Sequence, residues 1–219
     1  MALLTFPLTL EQFFHLLPVG QSRMSPGEAL AVAETGGGEV LTADIGTALW
    51  AGQFDMGPML HSEAAAIAPV LNLLRRAGAS FLVADPTRPW PKADPEGAFL
   101  GASTPTILAV GGSLRELSLQ GLPPGYPLSR GDLLSFQYGS TPVRHALHEM
   151  VGSAIADGSG KTTMIEVTPP LRPGAAAGIA VQLGWPRCKA RLVPGTTDPG
   201  SSRHTITSGA TIRWSQTLR

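Results

Sequence analysis

The sequence has few charged residues, no excess of basic over acidic ones and a single cysteine, and each shortage excludes a class of protein. Charged residues make up 15% of the 219, with 16 basic residues against 16 acidic ones. Nucleic acid and anionic membranes both select a basic surface, which this balance does not supply. The lone Cys188 excludes an internal disulfide and a cysteine-rich zinc site, and indicates synthesis in a reducing cytosol.

Long apolar runs are also absent. No uninterrupted run approaches the roughly 20 residues of a membrane helix. The first 20 residues are apolar but have no basic region before them and contain Glu11, Gln12 and His15, so we predict a folded segment there rather than a signal peptide.

What the sequence has is apolar residues, glycine and proline. The apolar content of 43% is enough for a buried core, and 26 Gly and 20 Pro are scattered along the chain. Such punctuation is typical of many short strands joined by turns. We therefore predict a mainly β protein of the α+β class.

The N-terminal part is predicted to combine strands with one main helix. Thr9 and Gln12 form a capping-box pattern before a short helix, 10–17. Strands are predicted at 28–34 and 50–56, with a three-glycine loop or hairpin end between them.

The main helix is predicted from Ser62, as N-cap, to Arg75 and Arg76 in the last turn, with Gly78 beyond it. Its apolar stripe needs a sheet to cover; the stripe is Ile67, Leu71 and Leu74. A strand at 80–84 follows, and the four prolines of 85–95 mark a boundary.

Beyond this boundary the helical period disappears and short strands recur, which indicates a small barrel or sandwich. The predicted strands are 106–110, 114–119, 133–138, 144–151, 164–167 and 179–185.

The C-terminus alternates apolar and polar residues and is predicted to be one long final strand. The first unit has too few strands to cover its helix, so we expect 187–219 to return and complete that sheet. The predicted domains are 1–98 plus 187–219, a sheet-and-helix domain, and 99–186, an inserted small β-barrel or sandwich.

Two motifs resemble chemical sites but lack essential parts. Gly158–Thr163 reads GSGKTT, yet the phosphate-loop glycine expected five residues before Gly160 is Ile155, and a strand follows instead of a helix. We predict a polar hairpin turn. His145 and His148 would share a face only on a helix; on the predicted strand they point to opposite faces, so no metal site is expected.

No catalytic arrangement is apparent either. There is no G-x-S-x-G elbow, and the Arg130-Gly131-Asp132 adhesion tripeptide lies where Gly and Asp are ordinary turn residues. We expect a non-enzymatic protein without cofactor or metal.

Four tryptophans raise the alternative of glycan binding, since sugars stack on exposed aromatic faces. Trp50, Trp185 and Trp214 lie on apolar strand faces and are predicted to be core. Trp90, between two prolines in a predicted loop, is the one candidate for an exposed binding aromatic.

The order of features in the chain resembles that of distal tail proteins of long-tailed bacteriophages and of gene-transfer-agent-like prophages. The resemblance is carried by LWAGQFDM, SEAAAIAPVLNLLRRAG, ASFLVAD with the prolines after it, LSLQGLPPGYPLSRGDLLSFQYGS, HALHEMV and EVTPPLRPG. Together these segments span most of the chain, and none is a catalytic signature.

The resemblance implies a structural virion protein of the tail tip. Such proteins form a ring, usually a hexamer, that joins the tail tube to the hub or baseplate. The implied partners are copies of the chain itself, the tube protein and the hub protein, with no specific nucleic-acid or membrane binding. The implied location is the virion tail, after synthesis in the host cytoplasm. The alternative is a glycan-binding host-adhesion module of the tail.

Overall fold

The computed structural model describes residues 3–219 and shows a mainly β protein with one α-helix, α1 (His61–Leu74), in that part of the chain. The strands are β1 (Val19–Pro26), β2 (Leu30–Glu34), β3 (Val40–Asp44), β4 (Trp50–Met56), β5 (Met59–Leu60), β6 (Phe81–Ala84), β7 (Thr106–Val110), β8 (Glu116–Gln120), β9 (Pro127–Leu128), β10 (Leu133–Tyr138), β11 (Arg144–Met150), β12 (Ala154–Ile155), β13 (Ile165–Thr168), β14 (Val181–Gln182), β15 (Arg187–Leu192), β16 (Ser201–Arg203), β17 (Ile206–Ser208) and β18 (Thr211–Gln216). The predicted fold class is confirmed.

A five-stranded sheet in the order β1-β4-β18-β15-β6 joins the two ends of the chain. As predicted, the last strand returns to it: β18 pairs antiparallel with β4, placing Trp214 opposite Gly52. A side chain at Gly52 is impossible in this geometry, because its Cβ would lie 2.6 Å from Cζ2 of Trp214. The bare glycine therefore lets the indole lie flat across the neighbouring strand.

Helix α1 packs its apolar stripe against the core of this sheet. Ile67, Leu71 and Leu74 are all buried, as predicted. The predicted N-cap is wrong: the helix begins one residue before Ser62, and the carboxylate of Glu63 accepts the backbone N–H of Leu60 at 2.9 Å. An acidic side chain one turn into the helix thus performs the capping that the sequence assigned to a serine.

The prediction of an α-helix at 10–17 is wrong. Its capping box forms, since the Thr9 N–H donates to Oε1 of Gln12 at 3.0 Å and the Gln12 N–H donates to Oγ1 of Thr9 at 3.3 Å. Turns and a single 3-10 turn at 14–16 follow instead of an α-helix. Tertiary packing overrides the local signal, because both consecutive phenylalanines, Phe13 and Phe14, are buried in the core.

The second sheet is a nearly closed six-stranded barrel in the order β14-β10-β11-β13-β8-β7. Its two edges meet where the Ile107 N–H donates to the Ile179 carbonyl at 2.9 Å and the Val181 N–H donates to the Pro105 carbonyl at 2.8 Å. Buried side chains fill the interior, and the buried aromatic ones are Tyr126, Phe136 and Tyr138. Closure leaves this sheet almost without free edges.

Two predicted strands are shorter than their patterns suggested. The strand at 179–185 is reduced to β14, because the chain leaves the ladder before Trp185, which has a left-handed φ of 46°. The long C-terminal strand is broken at Gly209, φ 74°, into β17 and β18. The first piece joins β5 and β16 in a separate three-stranded sheet. The alternation of apolar and polar residues therefore spans two strands that belong to different sheets.

The barrel packs its outer surface against the five-stranded sheet through buried hydrogen bonds. Nε1 of Trp50 donates to the Leu147 carbonyl at 2.7 Å. Gln216 bridges the same contact: its amide donates to the His145 carbonyl at 3.0 Å and accepts the Trp50 N–H at 3.1 Å. We refer to the two sheets and α1 together as the body. The residues at which the two predicted domains meet remain a prediction.

Candidate functional site

Trp90, predicted as a possible exposed aromatic, is half-buried in the loop between β6 and β7. Its six-membered ring faces two glycines. A Cβ added at Gly97 or at Gly184 would lie 2.5 Å or 2.3 Å from ring atoms. The ring therefore fills a slot lined by bare backbone and packs against the barrel core.

A pocket of about 360 Å³ lies beside Trp90. Three basic residues line it, together with Pro89, Pro91, Pro95 and their neighbours: Arg88, Lys92 and Arg130. The guanidinium group of Arg88 forms ion pairs with the carboxylates of Asp85 and Glu149, each at 2.9 Å. Because the glycines cover much of the indole ring, the pocket offers little aromatic surface for stacking a sugar.

The Arg130-Gly131-Asp132 tripeptide is part of a turn, as predicted. The Asp132 carboxylate is buried and accepts the backbone N–H groups of Lys92 at 2.8 Å and Ser129 at 2.7 Å. A carboxylate committed to these two donors closes a turn and fastens the Trp90 loop to the barrel. It is not presented to a partner.

The GSGKTT segment also forms a turn that satisfies itself. The Asp157 carboxylate accepts the N–H groups of Lys161 at 3.0 Å and Ser159 at 2.8 Å, which lowers the pKa of Asp157. The donors that a phosphate loop would offer to its ligand are thus taken by a side chain of the same loop, and β13 follows instead of a helix.

His145 and His148 lie on β11 with two residues between them, so their side chains point to opposite faces of the strand, and both are buried. Nδ1 of His148 lies 2.6 Å from the Pro169 carbonyl, and the ring stacks on Phe136. Burial lowers the pKa of each histidine to about 4, with Lys189 adding to the effect at His145. Both are therefore neutral at pH 7.

No group of three or more His, Cys, Asp or Glu side chains within 3–219 is placed to hold a metal ion. The same residues include no helix with the length and apolarity needed to cross a membrane.

A hairpin of residues 27–49 projects from the body, and we call it the arm. Strands β2 and β3 form a two-stranded sheet and pair only with each other. All ten of their residues are exposed. The arm continues the β1–β4 pair, because the Gly27 N–H donates to the Leu49 carbonyl at 2.8 Å and the Ile45 N–H donates to the Ala29 carbonyl at 2.8 Å.

The two faces of the arm differ, and both expose apolar side chains. Residues opposite each other in an antiparallel pair share a face. The apolar face carries only aliphatic residues: Ala29, Ala31, Ala33, Leu41, Ala43 and Ile45. The acidic face carries Leu30, Val32 and Val40 among carboxylates: Glu28, Glu34 and Asp44, with Thr42 beside them. Val32 is 66% exposed and Ile45 is 70% exposed.

Sequence reasoning found part of the arm. The strand predicted at 28–34 corresponds to β2, and the three glycines lie at the hairpin tip, but β3 and the edge strand β1 were missed. The sequence offered a signal for β3 in its two apolar segments, which the structure pairs at Ala31 with Ala43 and at Ala33 with Leu41. Two short, mostly apolar segments flanking a glycine run indicate a hairpin.

No protein-family model matches the chain, and no curated protein is significantly similar to it. The resemblance to distal tail proteins stays a prediction from sequence pattern and feature order.

Proposed function

We propose that the protein is a structural subunit of a phage tail tip, forming a ring that joins the tail tube to the hub. The observation that carries this proposal is the arm: a two-stranded ribbon that exposes apolar side chains on both faces and whose strands pair only with each other. Its base contacts the barrel, where Arg172 donates to the Ala48 carbonyl at 3.2 Å, but all ten residues of β2 and β3 are exposed. An isolated two-stranded hairpin is at best marginally stable in water. A partner that covers the arm stabilises it by burying its apolar side chains.

The edge strand β1 supports the same proposal. It has eight residues and pairs with β4 on one side only, so its other edge is free within the described chain. The opposite edge of the sheet is covered, because Leu8 bridges to β6. A free edge of this length is a template for pairing with another chain.

Head-to-tail contact between an arm and a different surface of the next copy produces a closed ring or an open filament. A ring fits the feature order that resembles distal tail proteins. The balanced charge also leaves a lumen that does not grip passing DNA.

The test is the mass of the assembly. We expect sedimentation of purified protein, alone or with the tube and hub proteins of the same tail, to give a discrete oligomer that negative-stain microscopy shows as a ring. A stable monomer that also binds neither tail protein contradicts the proposal.

A further inference from the structure

We propose that the acidic face of the arm docks into an arginine-lined groove on the body of the next subunit. The inference rests on the proposed ring and names the contact that closes it. The groove, of about 450 Å³, lies between the end of α1 and the turn after β15. We call it the basic groove; it is lined by Leu74–Ala77, Arg191–Gly195 and Thr197.

The basic groove carries three arginines and no acidic residue. Arg75, Arg76 and Arg191 are all exposed. The two ion pairs found within the described part of the chain both belong to Arg88, so these three guanidinium groups have no carboxylate within 4.0 Å. Around them the lining is apolar, with Leu192, Val193 and Pro194.

The arm has the opposite charge. Residues 27–49 contain four acidic residues and no Lys or Arg: Glu28, Glu34, Glu39 and Asp44. All 16 basic residues of the chain therefore lie elsewhere, against 12 of the 16 acidic ones, so the neutral protein is divided into an arm of −4 and a remainder of +4. Complementary patches of this kind steer association and fix its register.

The side chains on the acidic face also match the groove in character. Leu30, Val32 and Val40 alternate with Glu34 and Asp44 across the paired strands. A surface that places aliphatic side chains between carboxylates suits a groove that places aliphatic side chains between guanidinium groups, which pair with carboxylates in a bidentate manner.

No residue of the arm lines the groove of its own copy. The arm leaves the sheet at the end marked by Pro26 and Trp50. In the register of the sheet, Arg191 lies opposite Ser215, which lies opposite Ala51, so the groove begins one residue from this end and continues away from it. The base of the arm lies instead beside the barrel, where Nη2 of Arg172 donates to the Ala48 carbonyl at 3.2 Å. The two also lie on different strands, β4 and β15, with β18 between them. The contact is therefore between copies and runs head to tail. The apolar face of the arm stays available to other components of the assembly.

The test uses two double variants of the full chain. The arm variant is Glu34→Lys/Asp44→Lys, and the groove variant is Arg76→Glu/Arg191→Glu. Each puts like charges into the contact, so we expect sedimentation to show self-association at least about tenfold weaker than that of the wild type. Lys161→Glu/Arg203→Glu, the same charge change at exposed positions outside the groove, should stay within about twofold.

Mixing the two variants is the decisive step. The reversed arm of one then faces the reversed groove of the other, and the native arm faces the native groove. An equimolar mixture should regain the wild-type mass as an alternating ring, and assembly should weaken when NaCl rises from about 50 to 500 mM. Thermal melting verifies that each variant is folded; should one not be, Glu34→Gln and Arg191→Gln replace the reversals, with an expected weakening of about threefold.

The outcomes separate the two proposals. Assembly of each variant at wild-type strength, or a mixture that stays apart, overturns the docking of the arm in the basic groove while leaving the ring in place. A wild type that remains monomeric, with or without tail partners, removes the ring and the contact together.

Discussion

The barrel and the arm are built from the same kind of element, an antiparallel hairpin, yet they solve the problem of free edges in opposite ways. The barrel brings β7 back to the segment before β14, so almost every strand has two neighbours and the apolar side chains face inward. The arm has two neighbourless edges and two solvated faces. Exposed apolar surface of this kind supports the proposal that the arm contacts another chain.

The largest effects on stability should come from the contact between the two sheets. Trp50→Ala removes a fully buried indole and should lower the free energy of unfolding by about 3–5 kcal/mol. Trp50→Phe leaves the Leu147 carbonyl without its hydrogen-bond donor and should lower the free energy of unfolding by about 2 kcal/mol. Chemical denaturation measures both.

Trp214→Phe is the matched control. Trp214 is equally buried, but its Nε1 has no partner among the described residues, so removing that group leaves no acceptor without a donor. The loss should be smaller than for Trp50→Phe. Equal losses would show that the hydrogen bond to Leu147 contributes nothing.

Acid should destabilise the body through its two buried histidines. An unfolded histidine binds a proton below about pH 6.5, whereas His145 and His148 bind one in the folded state only near pH 4. Between these values the unfolded state holds more protons, so stability falls as the pH falls. We expect His148 to contribute a loss of about 2 kcal/mol between pH 7 and about pH 4.5, and the less deeply buried His145 a smaller loss in the same direction.

His148→Asn isolates one of the two contributions. The asparagine amide can still donate to the Pro169 carbonyl but cannot titrate. The difference in unfolding free energy between the two pH values should shrink by about 2 kcal/mol relative to the wild type. An unchanged difference would mean that His148 already carries its proton in the fold.

The slot around Trp90 should tolerate no side chain. In Gly184→Ala the new methyl group would meet the indole at 2.3 Å, so the ring must move, at a cost of about 1–2 kcal/mol and with a shift in tryptophan fluorescence. Gly112→Ala is the control, since its Cβ would have no neighbour within 4 Å. A neutral Gly184→Ala would show that Trp90 is not held by the barrel.

The smallest expected effect concerns the alternative function. If the protein recognises a host glycan through Trp90, a glycan array should give binding that Trp90→Ala abolishes. Because the indole is half-buried against glycines, we expect no binding by either protein. Specific binding lost in Trp90→Ala would establish the adhesion module instead.

Local patterns predicted most strands and the helix of the body. Alternation placed β4, β7 and β10 within a residue of their ends, and the stripe of Ile67, Leu71 and Leu74 located α1. Patterns failed where tertiary contacts decide the backbone. Phe13 and Phe14 enter the core together and prevent a helix, and Gly209 moves an alternating segment from one sheet to another.

The candidate site was the hardest part to predict for a physical reason. A strand whose two faces are both apolar, such as β2 with Ala31 and Val32, reads as a buried strand. Its exposure depends on what the rest of the fold leaves uncovered, which local sequence does not reveal. The charge of the arm was readable, since no basic residue occurs between Arg23 and Arg75, but it acquires meaning only beside the basic groove.

The most direct test of the account is to shorten the arm. Replacing residues 30–44 by an Asn-Gly turn between Ala29 and Ile45 keeps the hydrogen-bonded base of the hairpin. We predict that the shortened protein unfolds within about 1 kcal/mol of the wild type but sediments as a monomer under conditions in which the wild type forms a discrete oligomer. An oligomer of unchanged mass would contradict the claim that the arm exists to join one copy to the next.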